Sequence, residues 1–335
     1  MSGEAYFMRQ FNESFGSYSI EDEDVHGPVD SSGHYASTET QYFGFGIPQH
    51  DIHALLYTWY HPILRVVSGG PMIMRGKKPI SLSSEIFDYR SYLQAGQLNG
   101  SLIDFTLDNS YSVKMLDENS FHLRYDDPSR DSSFDVVMSG LSAPCMWPGN
   151  THLDQLMRCR GQLTLRGEHY PVDCYGFRNR SWGEVRHEDP IAVPPIGRIT
   201  GIFGDGELMF NIAGFDDPKL DPVWKEGYAA IPERTMKFGW ISRGGVMTVL
   251  SSAEILTGYD SSLLPDRIQL RARAVDGADY VFDGVVTAGA PLNTWPNVRT
   301  FSGQVRWTFG KQTGWGEMIN AQGNDFLHST ARRMR

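Results

Sequence analysis

The chain has 335 residues, 40% of them hydrophobic and 12% aromatic, which is enough for a sizeable core and more than one ordinary domain needs. Charged residues make up 21% and the net charge is −10, so the composition is not that of a disordered chain and argues against a general electrostatic grip on nucleic acid or an anionic membrane. The three cysteines, Cys145, Cys159 and Cys174, are odd in number and show no CxxC spacing; neither a disulfide framework nor a cysteine zinc site is expected.

The opening MSGEAYFMRQFNESFG has no basic or apolar leader pattern, and no apolar run approaches the roughly 18 residues of a membrane helix. A cytoplasmic protein without an integral membrane segment is expected. Residues 1–38 read as a loosely held arm with an acidic patch at Glu21–Asp24 and room for one short helix. From residue 39 the dominant period is two. Val113 and Met115 alternate with polar residues, Asp117–Ser120 turns, and Phe121, Leu123 and Tyr125 alternate again, which is a hairpin signature. The same pattern recurs around Arg166-Gly167-Glu168, Gly204-Asp205-Gly206, Ser242–Gly245 and Asp276-Gly277. The prolines of EDPIAVPPIG (Glu188–Gly197) exclude a central strand and mark a linker. The expected organisation is an arm over 1–38 and two antiparallel β domains over 39–190 and 191–335. Long helices are not expected, and the best short candidates beyond the arm are Asp221–Gly227 and the C-terminal tail. The fold class is all-β, built of barrels or sandwiches.

No GxGxxG after a strand, P-loop, HExxH or GxSxG is present, so nothing supports a dinucleotide or other cofactor. His50 and His53 lie three apart in QHDIHALL, but a metal site needs three or four converging ligands, and no metal is expected.

The charged stretch CYGFRNRSWGEVRHEDP continues directly from an apolar hairpin. By strand parity Val172, Cys174, Gly176, Arg178, Arg180, Trp182 and Glu184 share one face if no bulge intervenes. The arginines therefore extend the core face and require a carboxylate or several carbonyls there. Near the C-terminus Trp315, Glu317 and Ile319 share a face, which makes Glu317 a candidate inward carboxylate: either half of a structural ion pair or a desolvated group able to hold a proton. Gly314 and Gly316 permit a bulge or a close backbone approach. In HLDQLMRCRGQLTL, Gln155 shares the face of Met157 and Cys159, while His152 and Asp154 take the other. His152 is an acid/base candidate or a strand-start cap, and Asp154 either orients it or faces solvent. Trp182 is either an aromatic face for developing positive charge or plain core packing.

The ordered set HLDQ…GQLTLRGEHYPVDCYGFRNRSWGEVR, the earlier ETQYFGFGIPQHDIHALLYTWYHPILRVVSGG and the late GWGEMIN resembles the carotenoid 1,2-hydratase and AttH-like superfamily over roughly residues 38 to 320. The resemblance implies two lipocalin-like (calycin-type) domains and cofactor-free acid or pericyclic chemistry on hydrophobic substrates, as in the hydratases and related Diels–Alderase-like cyclases. Arg178, Ser181, Trp182 and Gly183 match the family's Arg-Asp-His-Ser-Trp-Gly, whereas Asn179 and Arg180 replace its Asp and His, so an acid role carried by that Asp does not transfer. The expected function is hydration, dehydration, isomerisation or cyclisation of a hydrophobic isoprenoid- or polyketide-like molecule. Glu317, His152 and Glu184 are the catalytic candidates. Trp182, Arg178, Trp315, Trp59, Gln155 and Tyr57 are the substrate-binding candidates. The rival reading is a non-catalytic carrier of a hydrophobic metabolite, since a cavity serves both uses. A homodimer is left open.

Overall fold

The computed structural model describes residues 15–27, 35, 37–185, 194–216, 235–295 and 297–333. The linker residues 188–193 and the helix expected at Asp221–Gly227 lie outside the described residues. The chain divides into two compact units, one comprising residues 13–74 and 84–187, the other residues 75–83 and 188–335 with the first twelve.

The first unit is a twelve-stranded antiparallel sheet. Its strands are β1 (Ser37–Ile47), β2 (Ile52–His61), β3 (Val66–Arg75), β4 (Ile86–Phe87), β5 (Arg90–Gln94), β6 (Asp104–Thr106), β7 (Ser112–Asp117), β8 (Ser120–Asp127), β9 (Ser132–Gly140), β10 (Cys145–Met146), β11 (His152–Leu165) and β12 (Glu168–Val185). The main path runs β4-β3-β2-β1-β12-β11-β9-β8-β7-β6. The β11–β12 hairpin turns on Arg166 and Gly167, whose φ values of 51° and 83° are both positive, as a two-residue loop matching strand twist requires. On a flat sheet β1 and β8, four steps apart, would be separated by roughly 19 Å at about 4.8 Å per step. The rings of Phe43 and Phe121 nevertheless meet at 5.2 Å. The sheet therefore curls around one core, to which Phe43, Phe121, Phe134, Cys159 and Val172 all contribute. All three cysteines are buried and none is in a disulfide.

The second unit is a closed eight-stranded antiparallel barrel. It comprises β13 (Ile196–Phe203), β14 (Leu208–Phe215), β15 (Met236–Arg243), β16 (Val246–Tyr259), β17 (Pro265–Ala274), β18 (Asp279–Trp295), β19 (Val298–Phe309) and β20 (Gln312–Gly323). In β17, Ile268, Leu270, Ala272 and Ala274 point inward and alternate with exposed Arg267, Gln269, Arg271 and Arg273, so the period-two pattern is the packing pattern. Phe282 anchors the interior, 4.6 Å from Phe210 and 4.9 Å from Phe309 between ring centroids. Helix α1 (Asn324–Arg333) follows as the expected C-terminal helix and buries Phe326. A Cβ on Gly316 would lie 1.9 Å from the Thr200 carbonyl oxygen, so β13 and β20 approach as closely as they do because residue 316 has no side chain.

Candidate active site

β2, β1, β12 and β11 lie side by side and are buried on both faces along β1. On the face turned away from the core, strand register sets out two rows. His152, Ser181, Thr40 and Trp59 are successive cross-strand neighbours. Asp154, Asn179, Tyr42 and Tyr57 form the adjacent row. Three strand spacings, roughly 14 Å, separate the polar end of each row from its aromatic end. Tyr57 is half-buried and the other seven residues are buried.

At the polar end His152 Nε2 lies 2.9 Å from Asp154 Oδ1, and Trp147 Nε1 donates to Asp154 Oδ2 at 2.7 Å. Asp154 is fully buried, and the two contacts fix its carboxylate plane. An ionised Asp154 only accepts, which would place the proton of a neutral His152 ring on Nε2 and leave Nδ1 as its basic position. Thr40 Oγ1 and Ser181 Oγ share a hydrogen bond of 2.7 Å beside this pair. At the other end Tyr57 lies 6.2 Å from Tyr42 and 6.1 Å from Trp59 between ring centroids. The face thus joins a hydrogen-bonded His–Asp pair to an aromatic wall.

The core face of the same strands carries paired charge. Arg178 forms a two-pronged contact with Glu23, 2.7 Å on each prong, and its Nε donates to Gln155 Oε1 at 2.6 Å. Arg180 meets the Glu39 carboxylate and donates to the carbonyls of Asp24 (2.7 Å), Ser181 (2.8 Å) and Thr40 (3.2 Å). Burial pushes the Glu39 carboxyl up, but the hydrogen bond from His26 and the charge of Arg180 outweigh it and hold the group below its ordinary value. The His26 ring stacks on Trp182, with centroids 4.1 Å apart and planes within 4°.

No curated protein matches the sequence. A family model described as a domain of unknown function, DUF7064, matches residues 19–322. The chain belongs to the DUF7064 family. Among solved structures it is similar to kievitone hydratase from Nectria haematococca, with a TM-score of 0.52 and 13% identity over 95% of this chain and 98% of that one. It is also similar to CghA, with a TM-score of 0.57 and 9% identity over 94% of this chain and 98% of that one. At such identities the likeness establishes a shared fold, which bears out at that level the resemblance read from the residues.

This DUF7064 chain brings three of the residues singled out from sequence, His152, Tyr57 and Trp59, onto one face. Arg178, Gln155 and Trp182 sit on the core face, as parity required of the arginines and Gln155. Glu317 and Trp315 belong to the barrel. Met318 joins the barrel core, so its neighbour Glu317, opposite Gln304, takes the outer face of the wall: it is buried, but it does not point into the barrel. The carboxylate that Arg178 meets is Glu23. Glu184 pairs with Thr38 through the backbone, and its side chain lies outside the described residues. The register slips between Thr38 and Thr40, opposite Trp182 and Gly183, and this bulge ends the parity that had put Glu184 with Arg178. Of the two departures from the superfamily pattern, Arg180 is a fully buried cation holding the arm, and Asn179 stands beside Asp154 in the second row. Asp154 faces no solvent: it orients His152. Sequence reasoning missed Glu23 and Glu39, for which the acidic patch and the demand for a partner to the arginines were the available signals.

Proposed function

We propose that the protein is a cofactor-independent enzyme that moves a proton on a hydrophobic small molecule, with His152 as the acid/base group. The observation that carries this is the buried His152–Asp154 pair standing at the head of an aromatic wall. Asp154 keeps the ring in one tautomer and stabilises the imidazolium that forms when Nδ1 accepts a proton, and return of that proton completes hydration, dehydration, isomerisation or cyclisation. Trp59, Tyr57 and Tyr42 supply apolar surface for the substrate's carbon frame. The fold shared with a hydratase supports this reading. An oriented general acid/base contributes roughly 10²–10⁴-fold to a rate.

The test begins with native mass spectrometry of the protein from its own host and extraction of what co-purifies. The recovered compound is then incubated with wild type and with His152→Gln. Conversion by wild type, read as a gain or loss of one water or as a new retention time at unchanged mass, and a rate about 10²-fold or more lower in His152→Gln are expected. A compound that binds stoichiometrically and never changes would make the protein a carrier, and equal rates in the two proteins would remove His152 from the chemistry.

A further inference from the structure

The core-face arginine Arg178 sits in a receptor that the sheet builds without help from the arm. Gln155 turns its Oε1 to Arg178 Nε and is itself pinned, its Nε2 donating to Asn119 Oδ1 at 2.6 Å and to the Ser142 carbonyl at 2.7 Å. The guanidinium lies over the Phe121 ring, 4.5 Å from its centroid. Its two remaining nitrogens present the flat fork that matches a carboxylate. What fills the fork is Glu23, a fully buried side chain at the end of a single turn of 3-10 helix, Ile20–Glu23.

The segment that delivers Glu23 is held mainly by polar contacts, among them Arg180 on the Asp24 carbonyl, together with the stack of His26 on Trp182. Tyr18 donates to Glu23 Oε1 at 3.0 Å, and Asp24 Oδ1 accepts from the Leu102 amide at 2.8 Å. The His26 and Gly27 amides donate to the Glu39 carboxylate. Its apolar anchors, Val25 and Tyr18, are only partly buried, and Ile20 is exposed. Buried ion pairs add little net stability over an apolar replacement, so a pre-oriented cation whose carboxylate comes from a segment with no fully buried apolar side chain of its own is suited to exchange.

We propose that Arg178, with Gln155 and the Phe121 ring, is a binding site for a small organic carboxylate, and that Glu23 is its internal ligand, displaced when such a molecule enters and the arm lifts. This site lies on the core face and stands apart from the His152 reading.

Acetate carries the two carbons and two oxygens that Glu23→Ala removes, so it is the probe. Thermal denaturation of the full-length Glu23→Ala protein is followed against acetate, with sodium chloride at matched ionic strength as control. A saturable rise in melting temperature is expected, with an apparent dissociation constant at least about tenfold lower than in wild type, where Glu23 competes. Glu23→Ala/Arg178→Met is expected to respond no more to acetate than to chloride. An acetate response in that double variant equal to the single variant's, or a single-variant response no larger than chloride's, would overturn the site. If Glu23→Ala does not fold, the near-isosteric Glu23→Gln is examined by hydrogen exchange over residues 18–27. Faster exchange in acetate than in chloride supports displacement, and equal exchange overturns it.

Discussion

Arg178 and Arg180 show what a buried cation demands of its surroundings. Each lies on the core face, each is buried, and each has a carboxylate. Removing one partner leaves an uncompensated charge, so Arg178→Met alone should cost about 3–5 kcal/mol, while Glu23→Leu/Arg178→Met should recover most of it. Urea denaturation of the three proteins measures this, and a double variant as unstable as the single one would show that the pair itself holds the fold. The place of the arginines was legible from parity because the strand is regular from Val172 to Arg180. The identity of the partner was not, since Glu23 is 155 residues away and only the curled sheet brings it near. His53 makes the opposite case. It is fully buried, and burial outweighs a hydrogen bond with the Phe45 backbone and lowers its pKa from 6.5 to about 3. The unfolded chain therefore takes up a proton below pH 6.5 that the folded chain refuses until about pH 3, and stability falls as pH falls through that window. The loss from this group should be about 2 kcal/mol at pH 5. Urea midpoints between pH 7.5 and 5 should show that slope in wild type and lack it in His53→Gln.

At the level of the strand, the decisive feature is the bulge in β12 at Trp182 and Gly183. Gly183 has φ 70°, a conformation that costs a residue with a side chain about 1–2 kcal/mol. The Ser-Trp-Gly signature thus has a local reason: the glycine lets the strand take an extra residue, and Glu39 opposite the bulge turns to Arg180. Gly183→Ala should lower stability by about 1–2 kcal/mol, with Gly183→Asn costing less because asparagine tolerates left-handed backbone. Thermal melts of both decide it, and two indistinguishable variants would show that the bulge does not strain a side chain. Alternation and turn chemistry make the hairpins legible in the sequence, from Asp117–Ser120 to Asp276-Gly277. A bulge leaves no trace in alternation until the register is known, which is why Glu184 was read onto the wrong row. Glu317 was misplaced for a related reason. Parity groups it with Trp315 and Ile319 but cannot say which side of a wall that group occupies, and Met318 decides it.

Across the molecule, the barrel takes in a segment from far upstream. Residues 75–83 run beside β18, where the Lys78 amide donates to the Gly289 carbonyl at 2.8 Å and the Gly289 amide to the Gly76 carbonyl at 3.1 Å. Lys77 is clamped between Asp260 at 2.9 Å and Asp266 at 2.6 Å. In GKKPISLSS nothing but loop composition is visible, because a strap acquires its role only from the edge it meets. Burial alone would lower the Lys77 pKa, yet the hydrogen bonds and charge of the two aspartates raise it, so its contribution is whole at neutral pH and is lost only as pH rises above 10.5. Asp260, pushed up by burial, is brought below its ordinary 3.8 by Lys77 and by backbone amides, so its share is lost only below that value. Both charges stand throughout the physiological range. The clamp is partly exposed, and solvent screening limits it to about 1 kcal/mol. Lys77→Met in the full chain should lower the urea stability by that amount at low salt and much less in molar salt. It should also speed hydrogen exchange of the Gly289 amide, which depends on the strap remaining seated. A stability loss unchanged by salt, with Gly289 exchange as slow as in wild type, would assign the effect to the lysine's methylene packing and leave the backbone bonds alone to hold the strap.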